Sequence, residues 1–336
     1  MCCNYLNTQF KQFVLINLEY ICFKTQQMNQ PVSRKILVIV VGATAVGKTA
    51  IALKLAKHYQ CSILSADSRQ CYRELGIATA KPDLAMRKKV PHFFVDSHSI
   101  RNPISAAEFE EYALDILNKV YLQQDYCIMV GGSGLYVKVV SAGLDQIPDI
   151  PAHIRMDLEN RLEKLGLASL VCELKKLDPD LLENLDLENP RRVIRALEVC
   201  LVTGKPYSTF LTGRKKSRPF GIIKVGLIRE REDLYQRIDF RMDKMIEQGL
   251  FEEAENLYRF RHEKPLQTVG YQEVFGYMDG LYDRQEAIRL LKRNSRRYAK
   301  RQLTWFGKDP SIHWFRADDL QSIMNYLELT VSAASN

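Results

Sequence analysis

Apolar residues in this chain gather in short, unbroken runs separated by longer amphipathic stretches. Residues 36–41 read ILVIVV, residues 126–130 read YCIMV and residues 221–228 read GIIKVGLI. Runs of this length with little polar alternation suit strands buried on both faces, as in a parallel sheet. A helical spacing covers residues 49–59 and 106–123, and CSIL at 61–64 reads as another strand, running through Ser65 to end at Asp67. Strand and helix alternating in this order predict an α/β domain. The rhythm changes between about 144 and 205, where helical patterns are broken at Pro148, Pro151, Pro179, Pro190 and Gly204 and no buried-strand run occurs. Strand signal on both sides makes that stretch a helical insertion. The expected organisation is an N-terminal extension at 1–34, an α/β core from 35–143 and 206–316, an inserted helical domain at 144–205 and a tail at 317–336.

Composition narrows the class. The chain has 336 residues, 46% hydrophobic and 26% charged, which suits a folded globular protein of about two domains. No apolar stretch is long enough to span a bilayer. The run at 13–23 is interrupted by Glu19 and lacks the flanks of a signal peptide, so the cytoplasm is the expected compartment. Residues 1–34 do not read as part of a domain, and Met28 is an alternative start. The eight cysteines include no CxxC pair, which argues against a zinc finger, and a disulfide framework does not suit a chain of this size and setting.

The sharpest local signal is GATAVGKT at 42–49, a GxxxxGK[ST] motif placed after a buried strand and before a helix. Its residues Gly42, Ala43, Thr44, Ala45, Val46, Gly47, Lys48 and Thr49 can curl N–H groups around one anion. The helix N-terminus adds positive potential, Lys48 adds a cation, and the Thr49 hydroxyl can ligate Mg²⁺. The motif indicates a polyphosphate or pyrophosphate ligand without fixing the reaction. A guanine-reading NKxD is missing, since NKVY stands at 118–121. The strand at 126–130 ends in Gly131 and Gly132 instead of a carboxylate. The acid instead follows the second strand, at Asp67, either a helix N-cap or turn former or a carboxylate facing the ligand crevice; its strand-end position favours the last. The turn GGSG at 131–134 offers further N–H groups and the Ser133 hydroxyl, or serves close helix–strand packing.

Between residues 287 and 308 there are eight basic residues and no acid. Arg289, Lys292, Arg293, Arg296, Arg297 and Lys300 recur at helical spacing, and a face of one sign favours contact with a polyanion over a merely solvated face.

Taken together these motifs resemble the bacterial tRNA dimethylallyltransferase (tRNA isopentenylpyrophosphate transferase) family. The matching stretches are 42–49; SADSRQ at 65–70 with Tyr72; GIATAKP at 76–82; 131–136; NPRRVIRALE at 189–198; TGKP at 203–206; LYQRIDFRM at 234–242; QTVGYQ at 267–272; and YAKRQLTWF at 298–306. The resemblance implies a P-loop NTPase-like parallel sheet with an inserted all-helical tRNA-binding domain and a helical C-terminal part. It implies transfer of a dimethylallyl group from its diphosphate to N6 of the adenosine just 3′ of the anticodon, in tRNAs reading codons that begin with U. It also implies Mg²⁺ as cofactor, with Thr49 as its ligand, and the tRNA anticodon stem-loop and dimethylallyl diphosphate as partners. No membrane is involved, and a monomer is expected. Asp67 is implied as general base, with Lys48 and Ser133 stabilising the leaving diphosphate beside Arg241. The implied tRNA contacts are Asp67, Ser68, Arg69, Gln70, Arg191, Arg192, Arg195, Gln267, Thr268, Val269, Gly270, Tyr271 and Gln272, while Arg237 resembles a basic position near the diphosphate or tRNA. Ser133 departs from the threonine common in the family. The C-terminal zinc finger of eukaryotic members has no counterpart here. The rival readings are a small-molecule P-loop kinase, an isopentenyltransferase acting on free adenine nucleotides, and a nucleic-acid-binding ATPase.

Overall fold

The computed structural model describes residues 35–333, so the expectations for residues 1–34 lie outside the described residues. The apolar runs form a six-stranded sheet in the order β3-β2-β4-β1-β5-β6, with every pairing parallel. The strands are β1 (Ile36–Gly42), β2 (Ser62–Ser65), β3 (His92–Phe93), β4 (Tyr126–Val130), β5 (Gly221–Ile228) and β6 (Ile312–Arg316). The central strand β1 is buried along its whole length, between β4 and β5, which is why it carries no polar side chain. Helices α1 (Lys48–His58), α2 (Leu84–Lys89), α3 (Ala106–Val120) and α4 (Gly134–Ala142) occur between the first five strands. Helix α3 starts on a capping box, in which Ser105 and Glu108 satisfy each other's backbone N–H.

The chain divides into two compact units. Among the described residues one comprises 35–141 together with 218–333, and the other is Ala142–Ser217. The second unit is helical, with α5 (Ala152–Leu177) and α6 (Pro190–Thr203). Gly166, at φ 77°, breaks the helical path within α5. Its separate core contains Leu158, Leu170, Leu174, Val193 and Leu197. Within it Glu198 is fully buried and accepts from Arg155 Nη2 and Arg195 Nη1, each at 2.6 Å. The boundary at Ser217 lies beyond the 205 read from the sequence.

After β5 the first unit continues through α7 (Arg231–Glu247), α8 (Leu250–Leu257), α9 (Gln272–Met278) and α10 (Arg284–Phe306), then β6 and α11 (Leu320–Ala333). The last element corrects the sequence reading of 317–336 as a tail. Ile323 and Leu327 of α11 are buried in the same apolar cluster as β1 and α1. Strand β6 lies at the sheet edge with Ile312 buried and His313 exposed, an alternation too brief to stand out in a basic, aromatic segment.

Candidate active site

Strand β1 delivers the chain into the loop 42–49 at the C-terminal edge of the sheet, where ligands collect in open α/β folds. Gly47 caps α1 in the left-handed region (φ 116°), and no side chain caps the helix start. Its first-turn N–H groups therefore offer an anion site. Lys48 reaches back across the loop, its Nζ donating to Gly42 O at 3.0 Å and Ala43 O at 2.6 Å. Burial, helped by the neighbouring Arg241 charge and opposed by Asp67, brings the Lys48 ammonium down to about 7. Two arginines hold the loop from outside. Arg229 Nε donates to Val46 O at 2.8 Å, and Arg237 Nε donates to Ala45 O at 3.0 Å.

Asp67 follows β2. Its Oδ1 accepts from the N–H of Arg69 at 2.9 Å and more weakly from that of Gln70 at 3.4 Å. One oxygen therefore forms the local turn. The carboxylate nevertheless lines two adjoining cavities, so the turn-former and crevice readings of this residue both hold. The larger cavity, about 520 Å³, is lined by Lys48, Thr49, Asp67, Arg237 and Arg241, with Gly131 and Gly132 opposite. The smaller, about 100 Å³, brings Asp67, Arg69 and Arg241 together with Ile238, Met242 and Met245 of α7 and with residues 268–271. Thr44, Ala45, Asp67, Arg241 and Tyr298 border both. Burial and the adjacent Asp67 charge push the Tyr298 phenol up to about 12, so it is a neutral hydroxyl at neutral pH.

The remaining candidates divide by what already holds them. Ser133 Oγ accepts from Ser68 N at 2.9 Å and donates to Ser68 Oγ at 3.2 Å, and Ser133 lines neither cavity. The Gln70 amide is engaged between Ser65 Oγ and the carbonyls of Thr79 and Ala80. Thr268, Val269, Gly270 and Tyr271 form a wall of the smaller cavity, while the amides of Gln267 and Gln272 bond each other at 2.7 Å. Arg191, Arg192 and Arg195 belong to the helical unit. The first two are exposed, and Arg195 is bound to Glu198.

Helix α10 corrects the reading of its basic face as a single-signed surface. Arg289 pairs with Glu286, Lys292 with Asp243 at 2.6 Å, and Arg296 with Asp239 through bonds of 2.5 and 2.7 Å. The last two acids come from α7, some fifty residues earlier in the chain, where a window on α10 cannot find them. Arg297, Lys300 and Arg301 remain exposed.

Two residues to which the sequence assigned no role prove central, Gln302 within the matching stretch 298–306 and Glu253 outside every matching stretch. Gln302, buried on α10, accepts from Thr44 N at 2.8 Å and donates to Gly132 O at 3.0 Å, joining the two glycine turns. Glu253 on α8 accepts from the N–H groups of Gly76, Ile77 and Ala78 at 2.9, 2.7 and 3.1 Å and from Tyr271 Oη at 2.7 Å. It thereby ties together two walls of the smaller cavity.

Among the described residues no group of three or more His, Cys, Asp or Glu could hold a metal, and no helix is long and apolar enough to cross a membrane. The Thr49 hydroxyl and the Asp67 carboxylate do line the same cavity. That donor set fits an ion such as Mg²⁺, which takes one or two protein oxygens and completes its shell from phosphates and water.

The family model for IPP transferase matches residues 70–309. A tRNA dimethylallyltransferase of Cytophaga hutchinsonii is 50% identical over 88% of this chain and 97% of its own length. A tRNA dimethylallyltransferase 1 of Bacteroides thetaiotaomicron is 44% identical over 87% of this chain and 95% of its own length. Among solved structures, the full-length tRNA isopentenylpyrophosphate transferase of Bacillus halodurans superposes with a TM-score of 0.67 at 36% identity, covering 90% of this chain and 98% of that one. A eukaryotic dimethylallyltransferase captured acting on tRNA gives 0.73 at 25% identity, covering 88% of this chain and 78% of that one. With this sheet, this phosphate loop and relatives matched over nearly their whole length, the chain belongs to the IPP transferase family.

Proposed function

We propose that the protein transfers the dimethylallyl group of dimethylallyl diphosphate to N6 of the adenosine 3′ of the anticodon, in tRNAs that read codons beginning with U. The observation that carries this reading is the meeting of the phosphate loop, Asp67 and Arg241 at the junction of two cavities, one of them partly lined by Ile238, Met242 and Met245. Apolar side chains suit a five-carbon allyl group, and the loop suits its diphosphate.

In the reaction the bond between the allylic carbon and the diphosphate oxygen breaks, and its electron pair leaves with the diphosphate. The N6 lone pair forms the new carbon–nitrogen bond, and the amine proton passes to Asp67. Adenine N6 is a weak nucleophile because its lone pair is delocalised into the ring, so a carboxylate accepting the proton as the bond forms lowers the barrier. Lys48, Arg241 and the N–H groups at the start of α1 stabilise charge on the departing oxygen. Mg²⁺, held by Thr49 and diphosphate oxygens, would neutralise part of the same charge. The adenosine must leave the anticodon stack to reach Asp67, which costs a few kcal/mol, approximately. Residues 268–271 and Arg69 wall the cavity that would receive it. The exposed Arg297, Lys300 and Arg301, with Arg191 and Arg192, are proposed phosphate contacts. A monomer working in the cytoplasm completes the reading.

Incubating the protein with unmodified tRNA, Mg²⁺ and dimethylallyl diphosphate, then digesting the tRNA and identifying its nucleosides by mass spectrometry, tests the proposal. The expected product is N6-isopentenyladenosine next to the anticodon, with release of pyrophosphate. Prenylation of free AMP with none on tRNA overturns it, as does nucleotide hydrolysis with no prenyl transfer.

A further inference from the structure

A GxxxxGK[ST] loop is the usual cradle of nucleoside triphosphates, where N–H groups along the loop hold successive phosphates. Here that run of donors is interrupted. The Thr44 N–H already donates to Gln302 Oε1 at 2.8 Å. The amide cannot turn away easily, because its Nε2 is held by Gly132 O at 3.0 Å. Nor is there slack around it: a methyl group added at Gly132 would come 2.0 Å from Gln302 Nε2. An anion running from the start of α1 past Thr44 therefore meets the amide carbonyl of Gln302 where an open loop would present a donor. Asp67 borders the same cavity and adds a full negative charge. The cations that remain, Lys48, Arg237 and Arg241, line the larger cavity near the loop and serve the phosphates held there.

We infer that Gln302 sets the length of the phosphate chain this loop accepts, admitting a diphosphate and refusing a triphosphate. The inference rests on the reading of the loop as the diphosphate site, and adds to it a residue that determines specificity. It also explains why a polar side chain is buried at this point of a basic helix. Gln302 gauges the anion at one end, while the same helix presents Arg297, Lys300 and Arg301 to solvent.

Calorimetric titration of the full chain with inorganic pyrophosphate and inorganic tripolyphosphate, each with Mg²⁺, is the test. Charge alone would make the longer anion bind more tightly. The wild-type protein is expected to bind pyrophosphate at least ~10-fold more tightly, the scale of one lost charge-assisted hydrogen bond. Gln302→Ala frees the Thr44 N–H and should bring the two affinities together. Gln302→Glu keeps the length and the acceptor, so it should preserve or widen the gap, and it stands in if the alanine variant does not fold. Equal wild-type affinities overturn the inference and leave the diphosphate reading intact. A gap unchanged in Gln302→Ala also overturns it. Failure to bind either anion overturns the diphosphate reading and this inference together.

Discussion

Two glycine turns close parallel strands at the same edge of the sheet, and they are built for different ends. At 42–49 the glycines shape a loop whose helix start carries no side-chain cap and whose lysine lies over the anion site. At 131–134 they make room for protein. A methyl group at Gly131 would come 2.2 Å from Ala66 O, one at Gly132 would meet Gln302, and one at Gly134 would lie 2.1 Å from Trp305 Nε1. The second turn is thus a seat for α10 and for the chain after β2, and Ser133 pins that chain through Ser68. Similar glycine spacing after a strand accordingly signals close approach, whether the approaching group is an anion or a neighbouring helix.

The sharpest way to break this comparison is at Asp67, which the second turn helps to place. Asp67→Asn should lower single-turnover prenyl transfer by ~10²–10⁴-fold while tRNA affinity stays within a few-fold. A near-normal rate would remove the carboxylate from the chemistry. On α10 the same division between outward-facing and engaged groups recurs. Neutralising the exposed Arg297, Lys300 and Arg301 should flatten the salt dependence of tRNA binding, by about one unit of log–log slope for each lost phosphate contact. Neutralising the paired Arg289, Lys292 and Arg296 should leave the slope nearly unchanged. Equal slopes for the two variants would erase the distinction.

Gly132→Ala should destabilise the fold by ~1–3 kcal/mol in urea unfolding, since buried Gln302 has to move. If stability holds while pyrophosphate affinity falls, the second turn is an anion site after all. Ser133→Ala should cost about one hydrogen bond, ~0.5–1.5 kcal/mol of stability, with turnover reduced less than tenfold. A loss of ~10²–10³ in turnover at unchanged stability would instead assign the hydroxyl to the leaving group. The remaining test is electrostatic and turns on pH instead of on a lost contact. Folding buries the Lys48 ammonium and lowers its titration from the ordinary lysine range to about 7. Below that pH the folded chain carries the full cost of the desolvated charge. Stability should therefore rise as pH climbs from about 7 towards the unfolded value, through the release of this proton. Comparing urea unfolding of the wild type with Lys48→Met across that window isolates the slope, and identical pH profiles would show that Lys48 titrates normally.

How far each feature could be read from the chain follows from how local its cause is. Strands β1, β4 and β5 announce themselves because burial on both faces demands continuous apolar residues. The phosphate loop announces itself because backbone curvature and charge must coincide within eight positions. Strand β6 goes unnoticed since an edge strand needs only a few buried residues, such as Ile312, while α11 reads as helical but its docking on the core through Ile323 and Leu327 does not show. The partners of the basic helix, Asp239 and Asp243, were out of reach for another reason: packing, not spacing, brings them opposite Arg296 and Lys292. Gln302 and Glu253 are the extreme case, each joining segments far apart in the chain through hydrogen bonds that leave no trace in composition.

Glu253 has one more consequence. Three successive amides at 76–78 that converge on one point form a concavity of the kind that attracts anions from solution. Here an internal carboxylate fills it permanently. Those three N–H groups are therefore spent within the protein, and an anion entering the pocket has to find its donors elsewhere, at the loop 42–49.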